Sequence, residues 1–186
     1  MSSFDEMMFE FIVKPENWRV AREILERGDD IKGRLLRDFW SDVKCAVESG
    51  LSVNEWEFKI NENISDDYSL LSIAHKSWNG MFSIAYEGLH TRTLIGVYRD
   101  FDSHNVSDAI HQQISTVLRE IYKNSEPAED WWCIWFYTGE DFAQLSLYDK
   151  LLPTKKKDLV DRYAATMLEL KSKSMPHIEA AIAALR

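Results

Sequence analysis

Residues 131–137 read Trp-Trp-Cys-Ile-Trp-Phe-Tyr, an aromatic run without a charged side chain. Alternate side chains of a β-strand point to opposite faces of its sheet, so both faces of this segment would be apolar. Two apolar faces are typical of a strand that is covered on both sides. The run therefore predicts a central core strand, with Trp132 and Trp135 largely buried.

Four shorter segments before this run have the pattern of strands. Residues 55–60 alternate between polar and apolar side chains, which predicts a strand with one wet face. Residues 70–76 and 81–87 are also predicted strands, joined near Asn79-Gly80, a strong hairpin signal. With a strand at residues 92–98, these segments predict an antiparallel meander.

Helical periodicity dominates the first third of the chain. One helix is predicted in the first twelve residues, and a second begins at Pro15, since proline favours the first position of a helix. Gly28-Asp29-Asp30 is predicted to break this second helix. A third helix is predicted from residue 31 to residue 48, before Gly50.

Two further helical regions follow the meander. A clean apolar stripe predicts a helix at residues 107–122, with Asn105 or Ser107 as its cap. The tail is helical as well, and Pro176 is predicted to mark a break or a new start. The first of these two helical regions precedes the aromatic strand and allows it to pair with a strand that is not its neighbour in sequence.

The order of these elements predicts an α+β fold in one domain, residues 1–186. An antiparallel β-sheet of about five strands, the meander plus the central aromatic strand, would be packed with N-terminal and C-terminal helices. The predicted regions are helical 1–50, sheet 54–100, helix 105–124, core strand 131–137 and C-terminal helices 154–186.

The charge of the chain disfavours broad binding to nucleic acid. The net charge is −9, and residues 54–150 alone carry −9, whereas residues 151–186 carry +3. Binding to phosphates needs clustered Lys and Arg, so only the basic C-terminal segment would suit nucleic acid. Acidity that merely keeps the protein soluble is the plainer interpretation.

Compartment and cysteine usage point to the cytoplasm. The N-terminus has no basic start followed by an apolar stretch, and no segment has the length and apolarity of a membrane span. We therefore predict a cytoplasmic protein that is not in a membrane. Cys45 and Cys133 both lie in apolar patterns, which predicts two buried free thiols rather than a disulfide framework.

Catalytic and metal-binding patterns are weak. Glu57-Phe58-Lys59 on a strand and Asp42-Val43-Lys44 on a helix loosely match the Asp/Glu-x-Lys triplet of metal-dependent nucleases. No earlier strand supplies the second carboxylate, so a solvated edge strand explains the first triplet as well. No His or Cys has a partner at metal-ligand spacing. We predict no catalytic residue, no metal site and no cofactor, which favours a protein without enzymatic activity.

Two features are candidates for binding. Lys155, Lys156 and Lys157 follow Thr154, a predicted helix cap, and three cations in a first turn oppose the helix dipole. They would suit an acidic partner or a phosphate, or would be a solvated turn. Trp78 lies beside the predicted hairpin turn, where it would contact a partner or fold back onto the core.

Four segments in order carry a resemblance to a known family. They are Leu-Leu-Arg-Asp-Phe-Trp at 35–40, Leu-Ile-Gly-Val at 94–97, the aromatic run, and the basic helix from residue 155 to residue 161. Together they resemble the C-terminal region of bacterial and phage proteins of the PD-(D/E)XK nuclease superfamily. In that group the region follows the nuclease core. The resemblance implies an accessory region without the catalytic core, so no catalytic residue is carried over.

Three functions are therefore expected, in this order. The first is a non-catalytic binding module of bacterial or phage origin, related to the accessory region of such nucleases. Its partner would be a protein, or nucleic acid through the basic C-terminal segment alone. The second is an acidic inhibitor, an immunity or anti-defence protein that occludes a basic protein surface. The third is an enzyme, either a degenerate or metal-dependent nuclease or a small-molecule enzyme with a composite site.

Overall fold

A computed structural model of the protein describes residues 3–100 and 106–184, without the side chains of residues 3–5 and 25. Its five strands form one antiparallel sheet, which confirms the predicted α+β fold. The strands are Trp56–Ile60 (β1), Leu70–His75 (β2), Phe82–Glu87 (β3), Arg92–Arg99 (β4) and Trp132–Asp141 (β5).

The described residues form five α-helices, and two short 3-10 helices at Lys76–Trp78 and Leu145–Leu147. The α-helices are Ser3–Ile12 (α1), Pro15–Ser49 (α2), Asp108–Ile121 (α3), Tyr148–Leu151 (α4) and Lys157–Ala183 (α5). The longer ones pack against one face of the sheet, and the apolar core lies between the two layers. None of the described helices combines the length and apolarity needed to cross a bilayer.

The aromatic strand β5 lies at an edge of the sheet, which corrects its predicted central position. The strand order is β1-β2-β3-β4-β5, and β5 pairs with β4, its predecessor in sequence. Helix α3 covers one face and returns the chain to the free edge of β4, so the antiparallel meander is simply continued. Residues 126–129 run beside the outer side of β5, where Glu126 bridges to Trp135 and Glu129 bridges to Trp132.

Burial within β5 follows this edge position. Trp132 is 4 % exposed, as predicted, whereas Trp135 is only partly buried. A register shift between Val97 and Tyr98 makes Cys133 an extra residue in β5, so the strict alternation assumed from the sequence is broken there. The Cys133 side chain is fully buried.

Helix α2 continues through the predicted break at Gly28-Asp29-Asp30. A glycine inside a helix costs only about 1 kcal/mol relative to alanine, and long helical stretches on both sides outweigh that cost. Asp29 also accepts a hydrogen bond from Lys32 at 3.0 Å, one turn further along. The predicted second and third helices are therefore one helix that begins at Pro15, as expected.

Helix α5 also continues where the sequence predicted a break, at Pro176. Proline removes one backbone hydrogen bond, but side chains on both sides of it, including Leu170 and Ile178, are buried in the core. Packing therefore keeps both halves in one continuous helix. At α3 the predicted cap is confirmed, because the Ser107 side chain accepts from the Ile110 N–H at 3.4 Å; Asn105 lies outside the described residues.

An aromatic cluster joins the helix layer to the sheet. Trp40 of α2 and Tyr86 of β3 lie 5.4 Å apart between ring centroids, and Tyr163 of α5 lies 5.4 Å from Trp40 and 5.1 Å from Tyr86. The Trp40 Nε1–H donates to the Leu89 carbonyl at 2.7 Å, and the Tyr86 hydroxyl donates to the Tyr163 carbonyl at 2.7 Å. Two polar atoms of this cluster thus donate to backbone carbonyls, whereas the Tyr163 hydroxyl is 2.9 Å from the Thr138 hydroxyl.

The N-terminal part of the helix layer exposes large apolar side chains rather than burying them. The exposed side chains are Met7, Met8, Phe9, Phe11, Val13, Trp18, Val20 and Ile24. Further along α2 the core face comprises Phe39, Val43 and Val47, at helical spacing. Cys45 lies off this face and is exposed, so only one of the two cysteines is buried, in contrast to the prediction.

Candidate functional site

The three candidate lysines lie where α5 begins, but they do not converge on one point. The first helical residue is Lys157, and Lys156 occupies the cap position where Thr154 was expected, with no side-chain cap bond. Lys156 pairs with Asp42 of α2 at 2.5 Å, and Lys157 pairs with Asp161 one turn along α5. Lys155 is exposed. Two of the three charges are therefore engaged within the protein.

Trp78 is fully buried, so of its two predicted placements the structure shows the one folded back onto the core. Its ring packs edge-on against Trp56 of β1, with centroids 5.5 Å apart. The turn itself forms as the Asn-Gly pair predicts, since Asn79 and Gly80 both have positive φ, 51° and 75°. The side chain of Trp78 is not presented at the surface.

The triplet residues are spread over separate surfaces. Glu57 and Lys59 are exposed on the edge strand β1, whereas Asp42 is bound to Lys156. Within residues 3–100 and 106–184, no three His, Cys, Asp or Glu side chains are grouped closely enough to hold a metal ion. Burial raises the pKa of the Cys133 thiol to about 12, so this cysteine is protonated at neutral pH.

The face of the sheet that points away from the helices has an unusual composition. One row across it pairs Lys59 with Ser72, Ser72 with Ala85, Ala85 with Gly96 and Gly96 with Trp135. On this face, small side chains thus lie on the middle strands, and aromatic side chains lie at the β4–β5 edge of the sheet. No helix of the described chain covers these residues, and we call this surface the open face.

A cavity of about 490 Å³ lies on the open face, next to β4 and β5. Besides Leu70, four aromatic side chains and two carboxylates line it: Tyr68, Tyr98, Trp131, Trp132, Glu87 and Glu129. We refer to these six residues as the aromatic–acidic cavity. The rings of Tyr98 and Trp131 are nearly parallel, at 17° and 6.1 Å between centroids, and Trp132 is edge-on to Tyr98 at 5.2 Å.

Each element places its side chain in this cavity for a local reason. The turn before β2 is held by Asp66, whose side chain accepts from the Tyr68 N–H at 3.0 Å. Glu87 ends β3 on the open face, because it pairs with Leu70 and Leu94 in register. Trp132 lies over Gly96, where the absence of a side chain leaves space for its ring.

The two carboxylates bring negative charge into the aromatic lining of the cavity. Burial raises the pKa of Glu87 above its ordinary value, and the nearby negative charge of Glu129 raises it further. None of the charged side chains that line the cavity is a cation. The cavity therefore concentrates negative charge beside aromatic rings.

Replacement of Glu87 by glutamine is expected to stabilise the protein at neutral pH. Because the pKa of Glu87 is raised on folding, its ionisation penalises the folded state above that raised pKa and costs nothing below the unfolded value of about 4.3. The gain from Glu87→Gln should therefore be present near pH 7 and vanish near pH 4, as measured by urea unfolding. Glu57→Gln, at an exposed position of the same face, is the control and should change neither value. A loss of stability in Glu87→Gln at pH 7 would contradict the prediction.

A larger cavity, of about 570 Å³, lies where the end of α3 meets α5 and β5. Burial raises the pKa of Tyr122 in its wall to about 12, with a smaller contribution from Glu169. The Tyr122 hydroxyl and the Ser125 hydroxyl are buried without a hydrogen-bond partner among the described residues. These groups would orient a bound molecule, and the lining residues include the carboxylate of Glu169 and the ammonium group of Lys123 but no His or Cys.

The aromatic–acidic cavity could not be predicted from the sequence, because its members are scattered from position 68 to position 132. Only strand register brings Glu87 and Tyr98 to the same face, and that register was not predicted. One signal was present, since the aromatic run begins with Trp131, which the acidic segment at residues 126–130 precedes.

Comparisons of the chain with protein-family models, curated proteins and solved structures found no match.

Proposed function

We propose that the protein is a non-catalytic module that binds a basic surface of another protein through its open face. The observation that carries this proposal is the composition of that face. It presents Trp131, Trp135 and Tyr137 at the β4–β5 edge, where Trp131 is 42 % and Tyr137 38 % exposed. Antiparallel sheets that face water on one side normally show polar side chains there.

Aromatic side chains of this kind support binding to a protein. Trp and Tyr are enriched in the buried centres of protein interfaces, and they supply many of the residues that dominate binding energy. Arg92 lies over the ring of Tyr137 at 3.7 Å, so this ring is already held in a fixed orientation. A preoriented ring loses less entropy when a partner covers it.

The charge distribution supports a basic partner. Residues 54–150, which contain all five strands, carry a net charge of −9. A positive partner surface would be attracted to this part of the chain, in which Glu57, Glu87 and Glu129 lie on the open face, whereas the phosphates of a nucleic acid would be repelled. The basic C-terminal segment does not offset this preference, because Lys156 and Lys157 are paired with Asp42 and Asp161.

The predicted relation to the accessory region of PD-(D/E)XK nucleases, and with it a bacterial or phage origin, stays a prediction. It would specify the proposed function further, since the partner would then be a nuclease or another defence protein. An acidic inhibitor of the immunity or anti-defence type is the form of this function in which the partner loses its activity on binding.

A labelled octalysine peptide is expected to bind the protein in a salt-dependent manner. Its affinity should fall about tenfold or more between about 50 mM and about 300 mM NaCl, because exposed charges are screened at short range at the higher concentration. Fluorescence anisotropy measures both affinities. The double variant Glu57→Lys/Glu129→Lys, with both changes on the open face, should weaken binding at low salt.

The matched control is Glu120→Lys/Glu179→Lys, which makes the same change in net charge at exposed positions of α3 and α5. It should bind octalysine more tightly than the open-face variant does. Equal weakening in both double variants would mean that only net charge matters, and would overturn the proposal. Affinity that does not change with salt would overturn it as well.

A further inference from the structure

We propose that the aromatic–acidic cavity binds an alkylammonium head group, presented as a lysine side chain of the basic partner. The choice of a protein partner rests on the proposed function, whereas the ligand chemistry rests on the cavity itself. Recognition of organic cations by aromatic rings and carboxylates requires rings that face a common space and negative charge beside it. Both are present here.

The aromatic part of the cavity fits a cation. The rings of Trp131 and Trp132 both contact Tyr98, the first nearly parallel to it and the second edge-on, and all three residues line the cavity. The electron-rich face of tryptophan gives the strongest attraction for a cation among the aromatic side chains. An attraction of about 0.5–2 kcal/mol is typical, and it is larger where water is excluded.

The acidic part of the cavity fits a cation for an independent reason. Glu87 lies on β3 and is partly buried, and no ion pair joins it to a cation among the described residues. A partly buried carboxylate without a counter-charge is unfavourable, and Glu129 nearby increases the cost. A bound ammonium group would relieve both effects, so the site is better satisfied when it is occupied.

Size and access suit a side chain that is presented from outside. The volume of about 490 Å³ lies within the range of about 300–1,000 Å³ found for ligand pockets. Tyr68 is 76 % exposed and Trp131 is 42 % exposed, so the mouth opens to solvent. At the same time Trp132, 4 % exposed, provides an apolar floor for the alkyl stem.

An ammonium group fits this cavity better than a guanidinium group does. The planar fork of arginine favours a single carboxylate that accepts two parallel hydrogen bonds. Here the two carboxylates belong to separate elements, Glu87 to β3 and Glu129 to the segment before β5, so the cavity does not depend on one carboxylate that pairs with a planar fork. Two separate carboxylates suit a compact point charge with several donors, which is the character of the lysine head group.

Titration with n-butylammonium tests the proposal, with n-butanol as the neutral probe and n-butylguanidinium as the alternative cation. The indole N–H signals of the tryptophans in NMR spectra report which rings are affected. We expect the chemical-shift changes of Trp131 and Trp132 to reach a plateau as n-butylammonium is added, with a dissociation constant of about 1–10 mM. The neutral probe should not produce such a plateau in that range.

Variants of the cavity should weaken this binding about five- to tenfold, which corresponds to the loss of one cation–aromatic or charge interaction. The variants are Glu87→Gln, Trp131→Ala and Tyr68→Ala. The highly exposed ring of Tyr68 is removed without risk to folding. The matched controls are Glu120→Gln, an exposed carboxylate of α3 outside the cavity, and Trp18→Ala, an exposed tryptophan in α2. Neither control should change the affinity.

Three outcomes would overturn the proposal. They are equal affinity for n-butanol, equal effects of the cavity variants and the controls, and tighter binding of n-butylguanidinium. The octalysine experiment separates this proposal from the proposed function. If octalysine distinguishes the open-face variant but n-butylammonium does not bind, the cavity proposal fails and the function stands. If n-butylammonium binds selectively while octalysine does not distinguish the variants, the proposed function fails and the ammonium site stands.

Discussion

Replacement of Trp40 by alanine is expected to lower the free energy of unfolding by about 3–5 kcal/mol. Trp40 is fully buried at the point where α2, α5 and the sheet meet, and its ring contacts Phe39, Tyr86, Phe142 and Tyr163. Alanine would leave a cavity that three separate elements would have to close together. Urea unfolding followed by circular dichroism measures the loss.

The hydrogen bond of Trp40 makes a second, smaller contribution to the free energy of unfolding, and Trp40→Phe isolates this contribution. Phenylalanine keeps much of the volume but leaves the buried Leu89 carbonyl without its donor, at a cost of about 1–3 kcal/mol. The control is Trp18→Ala, because Trp18 is 48 % exposed, and its effect should stay within about 0.5 kcal/mol. A loss in Trp40→Ala no larger than in Trp18→Ala would contradict the assignment of Trp40 to the centre of the core.

The five strands could be predicted because their signals are local. Alternation in residues 55–60, the positive-φ pair Asn79-Gly80 and the apolar run at 92–98 each act within a few residues, and the observed strands differ from the predicted bounds by only a few residues. The starts at Pro15 and Ser107 are likewise local, since both residues satisfy the geometry of a first helical turn.

The edge position of β5 could not be predicted, because the same apolar pattern has two physical causes. A strand has two apolar faces when helices cover both, or when one face is covered and the other is an exposed aromatic surface. Trp135 and Tyr137 belong to the second case, on the open face, where Tyr137 is exposed and Trp135 is partly buried. Only the pairing of β5 with β4 distinguishes the two, and pairing is a long-range property.

The predicted breaks at Gly28 and Pro176 were wrong for a related reason. Glycine and proline lower local helix stability by a limited amount, whereas packing of Leu170 and Ile178 acts over the whole length of α5. The run of three lysines is the opposite case, because a conspicuous local pattern does not form a single site. A run is visible in sequence, but Lys156 reaches Asp42, which lies far away in the chain. The cavity that does concentrate charge takes only Glu129, Trp131 and Trp132 from one stretch of sequence, and its other residues come from distant positions.

Replacement of Gly96 by alanine is expected to lower the free energy of unfolding by about 3 kcal/mol, the upper end of the cost of overpacking. A Cβ at this position would overlap the Ile134 carbonyl oxygen, and would lie 2.8 Å from Trp132 Cε3 and 2.9 Å from Trp135 Cα. Two of these atoms are backbone atoms of β5, so relief requires that β5 move away from β4.

The matched control for this change is Gly28→Ala, because a Cβ there meets no atom within 4 Å. Since Gly28 lies inside α2 and alanine is the better helix former, this variant should gain about 0.5–1 kcal/mol. The same chemical change is thus expected to have opposite signs at the two positions, as measured by urea unfolding. If Gly96→Ala is neutral, then β5 does not approach β4 as closely as the structure shows.

Because the ring of Trp132 lies over Gly96, displacement of β5 should also disturb the aromatic–acidic cavity. The indole N–H signal of Trp132 in NMR spectra should therefore shift in Gly96→Ala and stay in place in Gly28→Ala.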